Sequence, residues 1–107
     1  MSDSRLDILL KMFDADPGDS FVSYAIAKEY QSLGRLRDAV QQFSTLKKTD
    51  PEYVGLYYHL GKTYEALGET VHAIKAYQDG IEVSKKLKDF HALSELNSAL
   101  TNLEYGD

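Results

Sequence analysis

The most constraining feature of this 107-residue chain is an interval of 34 residues at which the same residue types recur. A fixed period of this size is typical of stacked repeats, in which each unit exposes an apolar face that only the next unit can cover. We therefore expect function to lie on the surface of the stack and not in an active-site cleft. The matched pairs are Pro17 and Pro51, Ala27 and Gly61, Tyr30 and Tyr64, Gly34 and Gly68, Ala39 and Ala73, and Phe43 and Tyr77.

Prolines and glycines divide most of the chain into segments of helical length. Proline ends a preceding helix and can open the next one, and glycine commonly follows a helix end in the left-handed conformation. Apolar residues recur at helical spacing within the segments, and no strand pattern competes, so the predicted class is all-α. The stretch KKLKD contains neither glycine nor proline, which leaves open whether the last two helices are separate or form one bent helix. The predicted helices span about 4–15, 20–33, 36–48, 52–67, 70–86 and 88–104.

Composition argues against several classes of protein. The chain has no cysteine, so it has no disulfide framework, thiolate metal site or cysteine nucleophile. A net charge of −5 argues against nucleic acid or an anionic membrane as a partner, since both favour a basic patch. No apolar run approaches the ~20 residues that cross a bilayer, and MSDSRLDILLKMF does not match a secretory signal. We expect a cytoplasmic protein.

Two segments, AIAKEYQSLGRLRDAVQQFSTLKKTDP and HLGKTYEALGETVHAIKAYQDGIEVS, resemble tetratricopeptide repeats. That family's pattern has a small residue, an aromatic three positions later, a turn glycine, an alanine early in the second helix, an aromatic four positions later and a closing proline. The resemblance implies a right-handed superhelical stack of antiparallel helix pairs. These places hold Ala27, Tyr30, Gly34, Ala39, Phe43 and Pro51 in the first unit, and Gly61, Tyr64, Gly68, Ala73 and Tyr77 in the second.

The resemblance also implies a domain organisation. We expect one domain over 1–107, with an N-terminal capping helix at 4–15, repeats at 20–53 and 54–87, and a C-terminal capping helix at 88–104. Two units and two flanking helices amount to about three units, near the minimum for a stable stack. The small residues at 27 and 61 should allow a neighbouring helix to approach closely, and the turn glycines should adopt a conformation that strains other residues.

A second pattern at the same interval predicts a binding surface. Tyr24 and Lys28 are matched by Tyr58 and Lys62, and at about 100° per residue they lie roughly opposite the apolar face of their helix. The resemblance implies that this face lines a concave groove that holds peptides. We expect a non-enzymatic adaptor or scaffold that binds an extended or acidic segment of a protein partner; the alternative is a solvated helix face. The predicted partner-binding residues are Tyr24, Lys28, Gln31, Tyr58, Lys62 and Glu65.

The last helix predicts a rival role. Its leucines form a continuous stripe, which either packs on the fifth helix or is an exposed patch that pairs with a second copy. The second alternative makes the chain a self-association module, and hence a homo-oligomer. The residues of the stripe are Leu93, Leu96, Leu100 and Leu103.

Catalytic, metal and cofactor sites are not predicted. The histidines His59, His72 and His91 have no His/Glu ligand spacing. The stretch DADPGDS resembles a calcium loop, but Ala25 stands where the bidentate glutamate would be, so a capped turn is expected. No glycine-rich phosphate loop occurs, and no serine has an obvious base. We expect no enzyme activity, no metal and no cofactor.

Overall fold

The computed structural model describes residues 4–106, and this part of the chain contains six α-helices and no strand. The predicted all-α stack of antiparallel helix pairs is therefore confirmed. The ends of the predicted domain, residues 1–3 and 107, lie outside the described residues. The helices are α1 (Arg5–Ala15), α2 (Ser20–Ser32), α3 (Leu36–Thr49), α4 (Gly55–Ala66), α5 (Thr70–Leu87) and α6 (Phe90–Tyr105).

Each helix packs on the next one along the chain. In addition, α2 contacts α4 and α4 contacts α6, so these three helices lie side by side in one layer. The molecule is elongated, with principal extents of 47 × 29 × 20 Å, as expected when units stack along one direction. Between residues 4 and 106, none of the helices is both long and apolar enough to span a bilayer.

Side chains and glycines fix several of the helix ends. Asp19 caps α2 by accepting a hydrogen bond from the Val22 amide at 3.2 Å, and Asp89 caps α6 by accepting from the Ala92 amide at 3.0 Å. The glycines that follow α2 and α4 have φ angles of +77° at Gly34 and +75° at Gly68. Residues with a Cβ rarely adopt this region, which explains why glycine recurs there.

Helix α4 begins at Gly55, three residues later than the predicted start near Glu52. The residue before it, Val54, offers no side-chain cap. Instead, the chain after α3 forms a turn in which the Tyr53 amide donates to the Asp50 carbonyl at 3.0 Å. The Pro51 carbonyl accepts a 2.5 Å hydrogen bond from the Tyr57 hydroxyl, which holds this turn against α4.

Helices α5 and α6 are separate, which resolves the question that the sequence left open. The two-residue break places Lys88 in the left-handed region, with φ 57° and ψ 35°. Lysine occupies there the conformation that glycine adopts after α2 and α4. Helix α5 has 18 residues and α3 has 14, so the second unit's outer helix is one turn longer.

The main core joins α2 through α6, and glycines let aromatic rings enter it. A Cβ built on Gly61 would lie 2.2 Å from Tyr77 Cε1, so the tyrosine ring lies directly against the α4 backbone. A Cβ built on Gly80 of α5 would lie 2.5 Å from Tyr57 Cβ, so the base of that side chain lies against the α5 backbone. The predicted close approach at Gly61 is confirmed, whereas the one at Gly80 was not predicted.

Polar contacts join the outer surfaces of the two units. Lys47 Nζ lies 2.6 Å from Asp79 Oδ2, and Arg37 pairs with Glu69. The second pair raises the pKa of Arg37 and lowers the pKa of Glu69, mainly through their hydrogen bond. Both pairs join residues 32 positions apart, so each links one unit to the next. Exposed pairs contribute only about 0–1 kcal/mol each, so burial remains the main stabilising term.

The contact at Gly61 yields a stability prediction. We expect Gly61→Ala to lower the free energy of unfolding by about 1–3 kcal/mol, because the added methyl group overlaps the buried Tyr77 ring. The loss should appear although alanine favours a helix over glycine by ~1 kcal/mol. Urea unfolding followed by circular dichroism measures it. Gly18→Ala is the matched control, since its Cβ would meet no atom nearer than 3.6 Å; equal stability of the two variants would contradict the prediction.

Candidate functional site

The layer formed by α2, α4 and α6 carries a row of adjoining clefts. We call this surface the groove, and define it by Tyr24 and Lys28 of α2, Tyr58 and Lys62 of α4, and Glu95 of α6. Four of these five residues were predicted from the sequence as partner-binding residues.

The two tyrosine–lysine pairs of the groove have the same local geometry. Lys28 Nζ lies 5.5 Å from the centre of the Tyr24 ring, and Lys62 Nζ lies 5.7 Å from the centre of the Tyr58 ring. An ammonium group at this distance is attracted by the negative face of the ring. Each lysine is therefore held over its tyrosine, and the pattern repeats from α2 to α4.

His59 links the two tyrosines of the groove. Its ring centre lies 5.8 Å from that of Tyr24 and 5.4 Å from that of Tyr58, in edge-to-face geometry with both. The ring also stacks on buried Phe43, with 9° between the planes. Aromatic pairs of this kind add about 0.5–1.5 kcal/mol beyond area burial, so these rings stabilise one another at the base of the groove.

Burial shifts the titration of groups in this aromatic surface. The pKa of His59 is lowered, chiefly because burial disfavours the charged imidazolium and secondly because Lys28 is close by. Glu95 acts in the opposite direction but does not overcome these effects. Burial also raises the pKa of the Tyr24 hydroxyl. At neutral pH His59 is therefore uncharged, and the positive charge of the groove comes from its lysines.

Two other predicted residues have partners inside the protein. Gln31 Nε2 donates a 3.1 Å hydrogen bond to Thr63 Oγ1, which joins α2 to α4. The carboxylate of Glu65 accepts a hydrogen bond from the Tyr77 hydroxyl and lies 3.9 Å from Lys62 Nζ. Burial and this carboxylate raise the pKa of Tyr77. Gln31 and Glu65 thus support the groove from within the inner layer.

The third helix of the groove was missed by sequence reasoning. The face of α6 toward α4 is polar and presents His91, Glu95, Ser98 and Asn102. His91 Nε2 and Glu95 Oε2 are 3.6 Å apart. These residues do not repeat residues of α2 or α4 at the 34-residue interval, so that pattern could not find them. Their own i, i+4 and i, i+3 spacing on one helix face was the available signal.

Two clefts lie between the groove helices. The central one has a volume of about 250 Å³ and is lined by Tyr24, Gly55, His59 and Leu96, among others. The second, of about 290 Å³, lies between α4 and α6, where Lys62 faces the polar residues of α6. Both are partly open to solvent and adjoin one another along Tyr58. Both volumes are below the roughly 300–1,000 Å³ of typical small-molecule pockets.

The leucine stripe of α6 lies against the core. Leu96 is only 1% exposed, and Leu93, Leu100 and Leu103 are half-buried and pack on the main core cluster. The outward surface of α6 carries polar residues such as Asn97 and Thr101. Of the two roles that the sequence left open for this stripe, the structure favours packing on the preceding helices.

The residues weighed for metal binding have other surroundings. The His72 ring lies 5.2 Å from that of Tyr64, at the start of α5, whereas His59 belongs to the groove. In the stretch 14–20, Asp16 Oδ1 accepts a hydrogen bond from the Gly18 amide and Asp19 caps α2. The acidic side chains of this stretch therefore form the capped turn that was expected.

Comparison with known proteins finds repeats of one family. A family model described as "Tetratricopeptide repeat" matches residues 54–87. The TPR repeat-containing protein YpiA of Bacillus subtilis is 39% identical over 56 residues, which cover 52% of this chain. The matched segment spans 13% of the length of YpiA.

Solved structures match over a larger part of the chain. A tetratricopeptide repeat domain protein from Salinibacter ruber is 45% identical, with a TM-score of 0.79, and the match covers 83% of this chain and 90% of that one. The crystal structure of PcrH in complex with the chaperone binding region of PopD has a TM-score of 0.86 at 16% identity, covering 92% and 75%. The similarity to PcrH, at 16% identity, concerns the fold alone.

The surroundings of His59 yield a pH prediction. The pKa of His59 is lowered in the folded protein, so the unfolded chain takes up a proton at a higher pH than the folded one. The contribution of His59 to the free energy of unfolding is therefore complete above pH ~6.5 and decreases as the pH falls toward the folded pKa. We expect an NMR titration to give a pKa below 6.5 for His59. His59→Phe keeps a ring on Phe43 and cannot titrate, so it should lose less unfolding free energy than the parent between about pH 7 and pH 5. Equal losses would contradict the prediction.

Proposed function

This chain belongs to the tetratricopeptide repeat family, and from that premise we propose that its groove binds an extended, acidic segment of a partner protein. The fold is that of an interaction module, since tetratricopeptide repeats bind protein partners. The proposal goes further and assigns the binding surface and the charge of the ligand. We infer no enzymatic role.

The observation that carries the proposal is the repeated tyrosine–lysine pair on neighbouring helices. Within residues 4–106, no carboxylate lies at ion-pair distance from Lys28 Nζ, and the pair between Lys62 and Glu65 is long, at 3.9 Å. The carboxylate of Glu65 is also engaged by Tyr77. Two ammonium groups thus face the groove without a short ion pair, and the carboxylate of Glu95, which also lies in the groove, is 3.6 Å from His91 Nε2. Acidic side chains of a ligand would form ion pairs with both ammonium groups.

The rings beneath the lysines supply the remaining contact surface. Tyrosine combines an apolar ring with a polar tip and is enriched among residues that dominate binding energy. Because Tyr24 and Tyr58 already pack on His59, little side-chain entropy is lost when a ligand covers them. Preorganised rings flanked by positive charge favour a segment that alternates acidic and apolar side chains.

The shape of the surface and one structural neighbour agree with this ligand. The adjoining clefts run across α6, α4 and α2, so an extended segment could contact all three helices. The PcrH structure holds the chaperone binding region of PopD. That complex shows what another protein of this fold binds, and here it supports only the general mode of binding.

Charge reversal tests the proposal. Linear peptides selected from a randomised display library on the parent protein should be enriched in Asp and Glu. We expect Lys28→Glu combined with Lys62→Glu to weaken binding of a selected peptide by about tenfold or more, because two attractions become repulsions. Affinity should also fall as salt is added. Fluorescence anisotropy of the labelled peptide measures both effects.

Lys48→Glu provides the matched control. Lys48 is an exposed lysine in the last turn of α3, a helix outside the groove layer, and the net charge changes with the same sign. We expect this variant to bind like the parent protein. Loss of binding in Lys48→Glu, or undiminished binding in the groove variant, would contradict the proposal.

A further inference from the structure

A third cleft, of about 300 Å³, lies beyond the groove, between α1 and α2. It is lined by Phe21, Ala25, Arg5 and Glu29, and it shares Tyr24 and Lys28 with the groove. Phe21 is 66% exposed, so most of its ring is accessible to a ligand. The cleft therefore continues the groove toward the N-terminal helix and differs from it in being built around an apolar side chain.

Helix α1 presents further apolar side chains beside this cleft. Ile8 and Met12 are 50% and 48% exposed. They lie three and seven positions after Arg5, so they share a helix face with a residue that lines the cleft. An adjoining face of α1 packs on α2 through Leu6 and Leu9. This face of α1 is thus left without a covering element in the described part of the chain.

Charges at the edge of the cleft indicate how a ligand would approach it. Arg5 Nε pairs with Glu29 Oε1 at 3.3 Å, so the carboxylate at the edge is neutralised within the protein. Lys28 is the remaining cation, and among residues 4–106 it has no carboxylate at ion-pair distance. A side chain that enters this cleft would accordingly be apolar, and the acidic side chain that accompanies it would be bound at Lys28.

We propose that this cleft is an apolar subsite, which takes a leucine- or phenylalanine-sized side chain of the same acidic segment that lies in the groove. The inference rests on the proposed function and adds a specificity: the ligand carries an apolar residue close to its acidic residue. Phe21 and Lys28 lie seven positions apart on α2, which is about 10 Å at ~1.5 Å per residue, and an extended chain advances about 3.3 Å per residue. The two ligand residues are therefore separated by roughly two to four positions.

Paired synthetic peptides test the subsite. The probes are fluorescein-labelled peptides of about ten residues in a Gly/Ser background, with an Asp-Asp pair and one Leu at varied distance on either side. Each has a partner in which Ser replaces Leu. For the best spacing, we expect the parent protein to prefer the Leu peptide about tenfold, as burial of one leucine implies. Anisotropy titrations give the ratio of the two dissociation constants.

Substitution of Phe21 connects this preference to the cleft. We expect Phe21→Ser to bring the ratio of the dissociation constants of the Ser and Leu peptides close to one. Val71→Ser is the control: it changes an apolar residue of α5 that is 78% exposed, and it should leave this ratio unchanged. Lys28→Glu with Lys62→Glu should weaken both peptides about equally and keep the ratio. Circular dichroism confirms that each variant is folded, as expected for changes at exposed positions.

The outcomes separate this inference from the proposed function. If the parent protein binds both peptides without preference, or if Phe21→Ser keeps the preference, the apolar subsite is overturned while the groove stands. If the parent binds none of the acidic peptides, the groove and its extension both fail. A preference that Val71→Ser also abolishes would assign it to a surface other than this cleft, and would likewise overturn the inference.

Discussion

The close contact between glycine and tyrosine in the paired helices is the constraint on which the rest of this structure depends. At Gly61 and Gly80 the missing side chains let Tyr77 and Tyr57 lie directly on the facing backbone, which brings α4 and α5 together. The position of α4 in turn sets its distances to α2 and α6, because it contacts both. A groove made of side chains from three helices requires these distances to be fixed, and rigid aromatic packing fixes them.

The middle of the fold could be predicted from the sequence because its signals are local and repeated. The turn glycines, the small residues and the aromatics each have one physical role, and they recur at 34 residues. The start of α4 and the end of α5 could not be predicted in this way. The first depends on a tyrosine hydroxyl that binds a carbonyl six residues away, and the second on Lys88, which adopts a conformation usually given to glycine.

The residues of the groove that recur at the 34-residue interval could be predicted from the sequence, and those that do not recur could not. Tyr24, Lys28, Tyr58 and Lys62 recur in register, so helical spacing placed each pair on one face of its helix, and the family resemblance implied that the two faces form a common surface. Gln31 and Glu65 obey the same spacing, yet hydrogen bonds to Thr63 and Tyr77 tie them to the protein. Such pairings join different helices, and a single sequence carries no sign of them. The polar face of α6 was missed because its residues do not match those 34 positions earlier in the chain.

Tyr24 borders the central cleft and the cleft between α1 and α2. It also borders a separate depression beside Tyr53. One ring therefore shapes several neighbouring contact sites at once, and its own position depends on Phe43, Tyr53 and His59. Substitutions around this ring cannot act independently, because residues that share a partner are energetically coupled. The effect of two replacements around Tyr24 on the shape of these depressions should thus differ from the sum of their separate effects.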